Sequence, residues 1–329
     1  MGEFELLALL RERLPTAGGR LRLGSGDDAA ITVPGGAVAT SVDALVEGVH
    51  FRRETATLRQ IGRKALSTAL SDLAAMGAEA GEAYVVLGAP ERMSEAELLE
   101  LGEGMAAVAG ETGTAVAGGD LTRAPVLTLA VTVTGHAERA EDFVTRGGAR
   151  PGDALVVTGE LGGAAAGLLL LEDESLTGDD GLRGRQLDPT PLLAAGQALA
   201  RAGATAMIDL SDGLAGDAGH VAVASGALLA IEADDLPIAA GVAAVASAAG
   251  RDALELAIAG GEDYELFAAL PPGAVAAAQE ALAALGTSLI VVGRVEPADD
   301  AGPRAEIRRR GGEALPSRGF DQLRPRRPR

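Results

Sequence analysis

The sequence contains no cysteine, and aromatic residues make up only 2% of its 329 residues. Disulfides, thiolate metal sites and cysteine nucleophiles are therefore excluded. Because large rings are so scarce, the core must be built mainly from small aliphatic side chains. Hydrophobic residues still account for 47% of the chain, which is enough for a folded globule. The length allows two domains.

Long apolar runs are also missing. A membrane-spanning helix needs about 20 consecutive apolar residues. The nearest approach is the alanine-rich stretch 239–249, which is short and is interrupted by Gly241 and Ser247. The N-terminal sequence MGEFELLALLRER carries charge throughout and lacks the apolar centre of a signal peptide. We therefore expect a soluble, cytoplasmic protein that does not bind membranes.

Positive charge is the third shortage. The formal net charge is −19, and Lys64 is the only lysine. Nucleic-acid binding is disfavoured, because that affinity comes largely from lysine and arginine neutralising phosphates. A protein this acidic can still bind anionic phosphates if divalent cations stand between the two.

Helical and strand patterns alternate along the chain, which predicts an α/β protein. We expect a first domain over residues 1–138, a connecting segment 139–152, a second domain 153–323 and an arginine-rich tail 324–329.

Several elements are predicted within these domains. A strand is expected at 38–42 and a helix at 58–76, and Ser94 with Glu97 forms a capping box that opens another helix. Residues 172–185 are expected to be a loop, followed by a helix with Pro191 in its first position. The nine arginines from Arg304 onward suggest a solvated tail rather than a nucleic-acid arm.

Acidic residues cluster in five short motifs. They are GSGDD at 24–28, SVD at 41–43, LSDL at 70–73, GGD at 118–120 and DLSDG at 209–213. Taken singly, each has an ordinary explanation as turn chemistry, in which an aspartate bonds nearby backbone.

The placement of the motifs is harder to explain by turns alone. Asp43 and Asp209 sit at the ends of predicted strands, where α/β proteins usually place ligand-binding groups. Asp72 falls in the last turns of a helix, where a carboxylate opposes the macrodipole at a cost of about 0.3–1 kcal/mol. A bound cation would offset that cost. Asp212 could instead be a simple helix cap.

Carboxylates and hydroxyls without histidine or cysteine clusters are the ligand set of a hard cation, Mg²⁺ or Ca²⁺. The calcium-loop spacing of the EF-hand is absent, so magnesium bridging carboxylates to substrate phosphates fits better. Zinc is disfavoured because His50, His136 and His220 are far apart in the sequence.

Two segments could contact phosphate. The glycines of 159–167 follow a strand and open a helix, whose N-terminus could hold an anion; close helix packing would explain them equally well. The P-loop signature is missing, since Lys64 lies elsewhere. Arg146, in the sequence TRGG beside the domain boundary, is a second candidate, although such an arginine is commonly solvated.

Two further residues have open interpretations. Glu262, in the sequence GGEDYEL, either belongs to a turn that enters a strand or faces a cationic or hydroxylated ligand. His50, in EGVHF, is either a structural histidine or a ligand contact.

Taken in order, the motifs resemble the thiamine-monophosphate kinases, a family within the superfamily of aminoimidazole ribonucleotide synthetase. The resemblance covers nearly the whole chain. Its motifs are GEF at 2–4, GSGDDAA at 24–30, VDALVEGVHF at 42–51, ALSDLAAMGA at 69–78, GGDLTR at 118–123, VTRGGARPGD at 144–153, IDLSDGL at 208–214, AGGEDYEL at 259–266 and GFDQL at 319–323.

The resemblance implies direct transfer of the γ-phosphoryl group of ATP to thiamine monophosphate, giving thiamine diphosphate and ADP. It implies a two-domain fold like that of aminoimidazole ribonucleotide synthetase: an N-terminal mixed-sheet domain that forms a homodimer, a C-terminal α/β domain, and a site between the two. By similarity, several Mg²⁺ ions would be held by Asp28, Ser41, Val42, Asp43, Asp72, Asp120, Asp209 and Asp212. The nucleotide would contact Gly119, Asp120, Arg146 and Ser211, and thiamine monophosphate would contact His50, Glu262 and Phe320.

Two positions depart from the family pattern. Val42 stands where the family often has threonine, so only its carbonyl could serve a metal. Phe320 replaces a commoner tyrosine or tryptophan and keeps only the ring. The alternatives are another ATP-using enzyme of the superfamily and a non-catalytic module that binds a magnesium–nucleotide complex.

Overall fold

The computed structural model describes residues 9–10, 12–14, 20–24 and 29–315. The chain divides into two compact units. The first comprises Met1–Phe143 and Leu187–Gln197, and the second comprises Val144–Gln186 and Ala198–Arg329. Within the described ranges, no helix combines the length and the apolar character needed to cross a bilayer.

The described residues of the first unit before residue 143 form two sheets and two long helices. In chain order its elements are β1 (Leu21–Leu23), β2 (Ile31–Thr32), β3 (Ala37–Val46), α1 (Leu58–Ala75), β4 (Glu79–Ala89), α2 (Glu95–Thr112), β5 (Ala115–Arg123) and β6 (Thr128–Ala137). Strands β1 and β2 pair with each other, and the other four form a mixed sheet in the order β3-β6-β4-β5, in which only β4 and β5 are parallel.

Both long helices begin with a capping box. In α1, the Thr57 hydroxyl accepts from the backbone N–H of Gln60, and the side-chain oxygen of Gln60 accepts from the backbone N–H of Thr57. Ser94 and Glu97 do the same for α2, which confirms the sequence prediction, and Gly113 ends that helix in the left-handed conformation. Helix α1 is buried over most of its length.

The second unit carries one larger mixed sheet. Its elements, together with two helices that lie at the boundary with residues 187–197, are β7 (Ala154–Thr158), α3 (Gly163–Glu172), α4 (Asp180–Leu187), α5 (Leu193–Arg201), β8 (Ala206–Asp209), α6 (Leu214–Ser225), β9 (Ala227–Glu232), α7 (Val242–Ala248), α8 (Ala253–Ala259), β10 (Leu266–Leu270), α9 (Val275–Ala283), β11 (Leu289–Pro297) and β12 (Arg304–Arg308).

The sheet of the second unit runs in the order β12-β9-β11-β7-β10-β8. All five residues of β10 are buried, as expected for a strand covered on both faces. Phe267 is the largest of them, and its neighbours in the core are mainly alanine, leucine, valine and isoleucine. The expectation of a core made from small aliphatic side chains is confirmed for this unit.

The arginine-rich segment from Arg304 is not a solvated tail over its first residues. Ala305 and Ile307 alternate into the core, which gives residues 304–308 the two-residue period of a strand, and β12 pairs with β9 in parallel. Arg304 forms an ion pair with Asp299 at 2.6 Å. The expectation of a solvated tail is therefore wrong for residues 304–308, because alternation and charge pairing outweigh the arginine count.

Three smaller predictions also need correction. Residues 172–185 are not wholly a loop, since α4 begins at Asp180. Pro191 is not the first residue of a helix, because α5 begins at Leu193. Asp43 does not sit at the end of a strand but lies inside β3, which continues to Val46.

Candidate functional site

Ser41 and Asp72, two of the predicted ligands in the first unit, are in direct contact. Ser41 lies on β3 and Asp72 in the last turn of α1, and the Ser41 hydroxyl donates to Oδ2 of Asp72. The carboxylate therefore sits where the sequence placed it, at the negative end of a helix dipole. Its partly buried hydroxyl–carboxylate pair presents only oxygen atoms.

Asp43 lies two residues beyond Ser41, so both side chains leave β3 on the same face. The backbone N–H of Ala44 donates to Oδ1 of Asp43 at 2.8 Å. Val42 points to the opposite face and is 65% exposed. Because its side chain is a hydrocarbon, its only oxygen is the backbone carbonyl. The structure thus groups Ser41, Asp43 and Asp72 at one side of the sheet.

Asp120 stands apart from that group within the same sheet. It lies on β5 in register with Val86 of β4, and two strands separate β5 from β3. The preceding residue must be small, because a Cβ on Gly119 would come within 2.0 Å of the Val85 carbonyl oxygen. Gly119 therefore sets the backbone path that exposes Asp120.

In the second unit, three carboxylates gather where β8 passes into α6. Asp209 is the last residue of β8, in agreement with its predicted place at a strand end, and it is buried. Asp217 lies in the first turn of α6 and accepts from the backbone N–H of Asp212 at 3.1 Å. Burial, followed by the negative charges of Asp209 and Asp212, raises the pKa of Asp217 to about 7.

Asp217 was missed by sequence reasoning. An acidic residue in the first turn of a helix is ordinary surface chemistry, and only the spacing of five residues from Asp212 could have indicated a shared environment.

The turn that contains Ser211 is tied to the loop of residues 260–265. The backbone N–H of Glu262 donates to the Ser211 carbonyl at 2.9 Å, and that of Tyr264 donates to the Leu210 carbonyl at 2.9 Å. A Cβ on Gly261 would lie 2.5 Å from the Ser211 carbonyl oxygen. The predicted nucleotide contact Ser211 and the predicted substrate contact Glu262 are thus brought together.

The glycine-rich segment 159–167 does not offer a vacant helix N-terminus. The carboxylate of Asp263 accepts from Gly162 N at 2.7 Å and from Ala164 N at 3.1 Å, at the start of α3. A Cβ on Gly167 would meet the Leu182 carbonyl oxygen at 2.0 Å. Of the two interpretations left open by the sequence, close packing is therefore the one that the contacts favour.

Arg146 is exposed, and its backbone is held in place by α6. The hydroxyl of Ser225 donates to the Arg146 carbonyl at 3.3 Å and accepts from Gly148 N at 3.2 Å. The turn is anchored while the guanidinium group is presented outward.

His50 follows β3 in a short turn. Its Nδ1 accepts from the backbone N–H of Val46 at 3.1 Å, so the neutral ring carries its proton on Nε2. Nδ1 thus makes a structural contact with the backbone, and Nε2 is a hydrogen-bond donor.

Two of the predicted site residues, Asp28 and Phe320, lie outside the described residues. Within the described ranges, no three His, Asp or Glu side chains lie close enough to one another to hold a metal ion. The candidate ligands instead form the smaller groups given above, within each unit.

Comparison with known proteins matches this chain over most of its length. A family model described as AIR synthase related protein, N-terminal domain, matches residues 26–137, and the corresponding C-terminal domain model matches residues 150–305. The thiamine-monophosphate kinase of Mycobacterium tuberculosis is 39% identical over 275 residues, which cover 82% of this chain and 80% of that protein.

Solved structures agree with the sequence matches. The crystal structure of thiamine-monophosphate kinase from Stenotrophomonas maltophilia K279a has a TM-score of 0.84 and 35% identity, covering 96% of this chain and 98% of that one. AaThiL complexed with AMPPCP and TMP has a TM-score of 0.76 and 28% identity, covering 98% and 97%.

Two mixed α/β units, each matched by its own domain model, make this chain an AIR synthase related protein. Within that group, identity to curated relatives over four fifths of both chains is decisive: the chain belongs to the thiamine-monophosphate kinase family. The resemblance drawn from the ordered motifs is confirmed.

Proposed function

We propose that this chain transfers the γ-phosphoryl group of ATP to the phosphate of thiamine monophosphate, giving thiamine diphosphate and ADP. The observation that carries the proposal is the 39% identity to a thiamine-monophosphate kinase over 82% of the chain. The AMPPCP and TMP bound by AaThiL support the same pair of substrates. Because ATP is the co-substrate, we also propose a cytoplasmic location.

Magnesium fits the donor atoms that the two units present. The Ser41–Asp72 pair and the Asp209–Asp212 pair offer hydroxyl and carboxylate oxygens only, which suits a hard cation. Mg²⁺ usually keeps several waters and takes one or two carboxylates together with substrate phosphates. Small groups of acids, rather than one complete cage, are therefore what a magnesium–nucleotide site requires.

We propose that several Mg²⁺ ions are held by the predicted ligands Asp28, Ser41, Val42, Asp43, Asp72, Asp120, Asp209 and Asp212. Bound there, the metal supplies charge neutralisation for two phosphate groups that would otherwise repel each other. The raised pKa of Asp217 comes first from burial and then from the negative charges of Asp209 and Asp212, and this second cause supports the assignment because it places the three carboxylates near one another.

The remaining predicted residues would contact the substrates. Gly119, Asp120, Arg146 and Ser211 would contact the nucleotide, and His50, Glu262 and Phe320 would contact thiamine monophosphate. His50 can donate from Nε2 because Nδ1 is occupied by the Val46 N–H, and exposed Arg146 carries a planar donor group suited to phosphate oxygens.

The acceptor is already an anionic phosphate at neutral pH, so the reaction needs no strong general base. The work of the chain is to hold two phosphate groups in line and to exclude water. We propose direct transfer without a covalent intermediate on the enzyme, and detection of a phosphorylated enzyme in a single turnover with ATP would contradict it.

A homodimer formed through the first unit is also proposed. Val38 and Val42 lie on the face of β3 opposite to Ser41, and they are 43% and 65% exposed. Val86 is 46% exposed and aligns through β6 with Ala44, which places it on the same face. These three valines form the valine face, an apolar surface of the kind that marks an interface.

The test is incubation of the protein with Mg²⁺, ATP and thiamine monophosphate, with thiamine diphosphate followed by chromatography. We expect the native chain to form product, and Asp72→Asn to lower turnover by about 100-fold or more, since it removes a charge without changing shape. Asp173→Asn is the matched control, because Asp173 is a surface aspartate that bonds only within its own turn.

The outcomes separate the alternatives. No product above a reaction without enzyme would refute the proposed function. Tight ATP binding without turnover would indicate the non-catalytic nucleotide-binding module. Near-native turnover by Asp72→Asn would remove Asp72 from the metal site and leave the rest of the proposal standing.

A further inference from the structure

The loop of residues 260–265 holds an unusual backbone around Asp263. Glu262 has φ +68° and Tyr264 has φ +50°, and these are the only residues other than glycine with positive φ in the described part of the chain. Residues that have a Cβ atom seldom adopt this backbone conformation, and it persists only where the surrounding structure imposes it. Two such residues on either side of Asp263 indicate that strong contacts fix the loop.

Asp263 supplies one of these contacts. Its two carboxylate oxygens accept separately from Gly162 N at 2.7 Å and Ala164 N at 3.1 Å. The first N–H groups of a helix have no partner within the helix, so one side chain from the loop satisfies two of them. The loop is thereby fastened to the start of α3.

Gln186 supplies a second contact, directly on Glu262. Its buried side-chain amide donates to Oε2 of Glu262. Gln186 belongs to α4, and Arg185 of this helix forms an ion pair at 2.6 Å with Glu160, in the turn that precedes α3. Helix α4 is packed against α3 at the close approach of Gly167 to the Leu182 carbonyl.

The opposite edge of the loop is bonded to the acidic turn after β8. The N–H groups of Glu262 and Tyr264 donate to the carbonyls of Ser211 and Leu210. Glu262 is thus held through its backbone by the turn that carries Asp209 and Asp212, and through its carboxylate by Gln186. Both the backbone and the side chain of Glu262 are therefore constrained by neighbouring groups.

We propose that Asp263 and Gln186 are positioning residues that hold the carboxylate of Glu262 in place for the cationic thiazolium or the amino group of thiamine monophosphate. This inference rests on the proposed function, and specifically on Glu262 as a substrate contact. Preorganisation of this kind lowers the free-energy cost of ordering a side chain on binding. It therefore acts on recognition of thiamine monophosphate rather than on ATP.

Two variants remove the supports separately. Asp263→Asn keeps the volume and can accept only one of the two helix N–H bonds, and Gln186→Met keeps the length and removes the donor to Glu262. We expect each to raise KM for thiamine monophosphate about tenfold while KM for ATP changes less than about twofold. KM, kcat and Tm are measured for every variant.

Asp153→Asn is the matched control for Asp263→Asn. Asp153 is a buried aspartate of the same unit, which accepts from Arg150 N at 2.9 Å and from the Thr205 hydroxyl at 2.6 Å. It precedes β7, at the opposite end of that strand from Thr158, which bonds Glu265. We expect no change in either KM for this control.

A double-mutant cycle decides whether Asp263 acts through Glu262. In a Glu262→Gln background, Asp263→Asn should raise KM for thiamine monophosphate less than about twofold further, because the group that it positions is gone. The inference would be overturned if the rise in KM for thiamine monophosphate in the double variant equalled the product of the rises in the two single variants. Equal rises in KM for ATP and thiamine monophosphate would also overturn it. If the native chain turns over but the variants do not behave as expected, this inference alone fails. If the native chain shows no turnover, the proposed function and this inference fail together.

Discussion

Asp263 carries opposing influences on its charge. Burial of its carboxyl group raises the pKa to about 7. The two backbone N–H donors favour the charged form and act in the opposite direction, but burial has the larger effect. Glu265 adds repulsion and Arg185 adds attraction, both smaller than the effect of burial. The group is therefore neutral in the folded protein at pH values where the unfolded chain has already ionised.

The sign of the pH effect on stability follows. An aspartate ionises near pH 4 in an unfolded chain, so between about pH 4 and pH 7 the folded state binds more protons at Asp263. Stability contributed by this residue is present at the acidic end of that window and falls as the pH rises.

We expect Asp263→Asn, which cannot ionise, to gain stability relative to the native chain as the pH rises from 5 to 8. The gain is up to about 3 kcal/mol, at about 1.4 kcal/mol per unit of pKa difference. Urea denaturation at several pH values measures it, and parallel pH profiles for the two proteins would show that burial does not raise this pKa.

The sequence singled out some candidate site residues and not others, for a definite reason. Asp72 and Asp209 were predicted because an acid at a helix C-terminus or a strand end is conspicuous in a pattern. Asp217, Asp263 and Gln186 were missed because their roles depend on burial and on partners 5 to 101 residues away. No local pattern encodes such contacts.

At the scale of elements, the crossing of α1 and α2 depends on two glycines. A Cβ on Gly62 would lie 2.0 Å from the Leu101 carbonyl oxygen, and a Cβ on Gly104 would lie 2.0 Å from the Arg59 carbonyl oxygen. Because both obstacles are backbone atoms, no side-chain movement can relieve the overlap. The helices must separate if either glycine acquires a side chain.

We expect Gly62→Ala and Gly104→Ala each to destabilise the protein by about 2 kcal/mol. Overpacking costs about 3 kcal/mol, and the better helix propensity of alanine recovers about 1 kcal/mol. Gly110→Ala is the control within α2, because a Cβ there meets nothing within 4 Å, so this change should stabilise by up to about 1 kcal/mol. Equal free energies of unfolding for the three variants would contradict the packing argument.

Among the elements, long periodic segments were the ones that the sequence predicted well. Helix α1, which ends at Ala75, was located almost to the residue. Strand β12 was mistaken for a tail because its arginines dominated the composition, although Ala305 and Ile307 carry the strand period. The start of β12 is a case where periodicity was the better guide than charge.

At the scale of the whole molecule, the chain does not pass from one unit to the other only once. Residues 187–197 return to the first unit, where Asp188 accepts from Arg63 Nε at 2.7 Å and Gln197 donates to the Ala78 carbonyl at 3.0 Å. Since these contacts join residues more than 100 positions apart, a linear scheme of two consecutive domains could not include them.

The valine face bears on assembly of the whole molecule. A net charge of −19 disfavours association of two copies through general electrostatics, so a dimer needs a local apolar contact. Val38, Val42 and Val86 supply such a contact on one face of the sheet.

We expect the native chain to sediment as a dimer at micromolar concentration and Val86→Arg to sediment as a monomer, because a long charged side chain would replace part of the apolar contact that joins the two copies. Val223→Arg is the control, since Val223 is 67% exposed on α6 in the second unit, and this variant should remain dimeric. Sedimentation velocity distinguishes the masses. A monomeric native chain, or a Val86→Arg variant with the native mass, would show that the valine face does not join two copies.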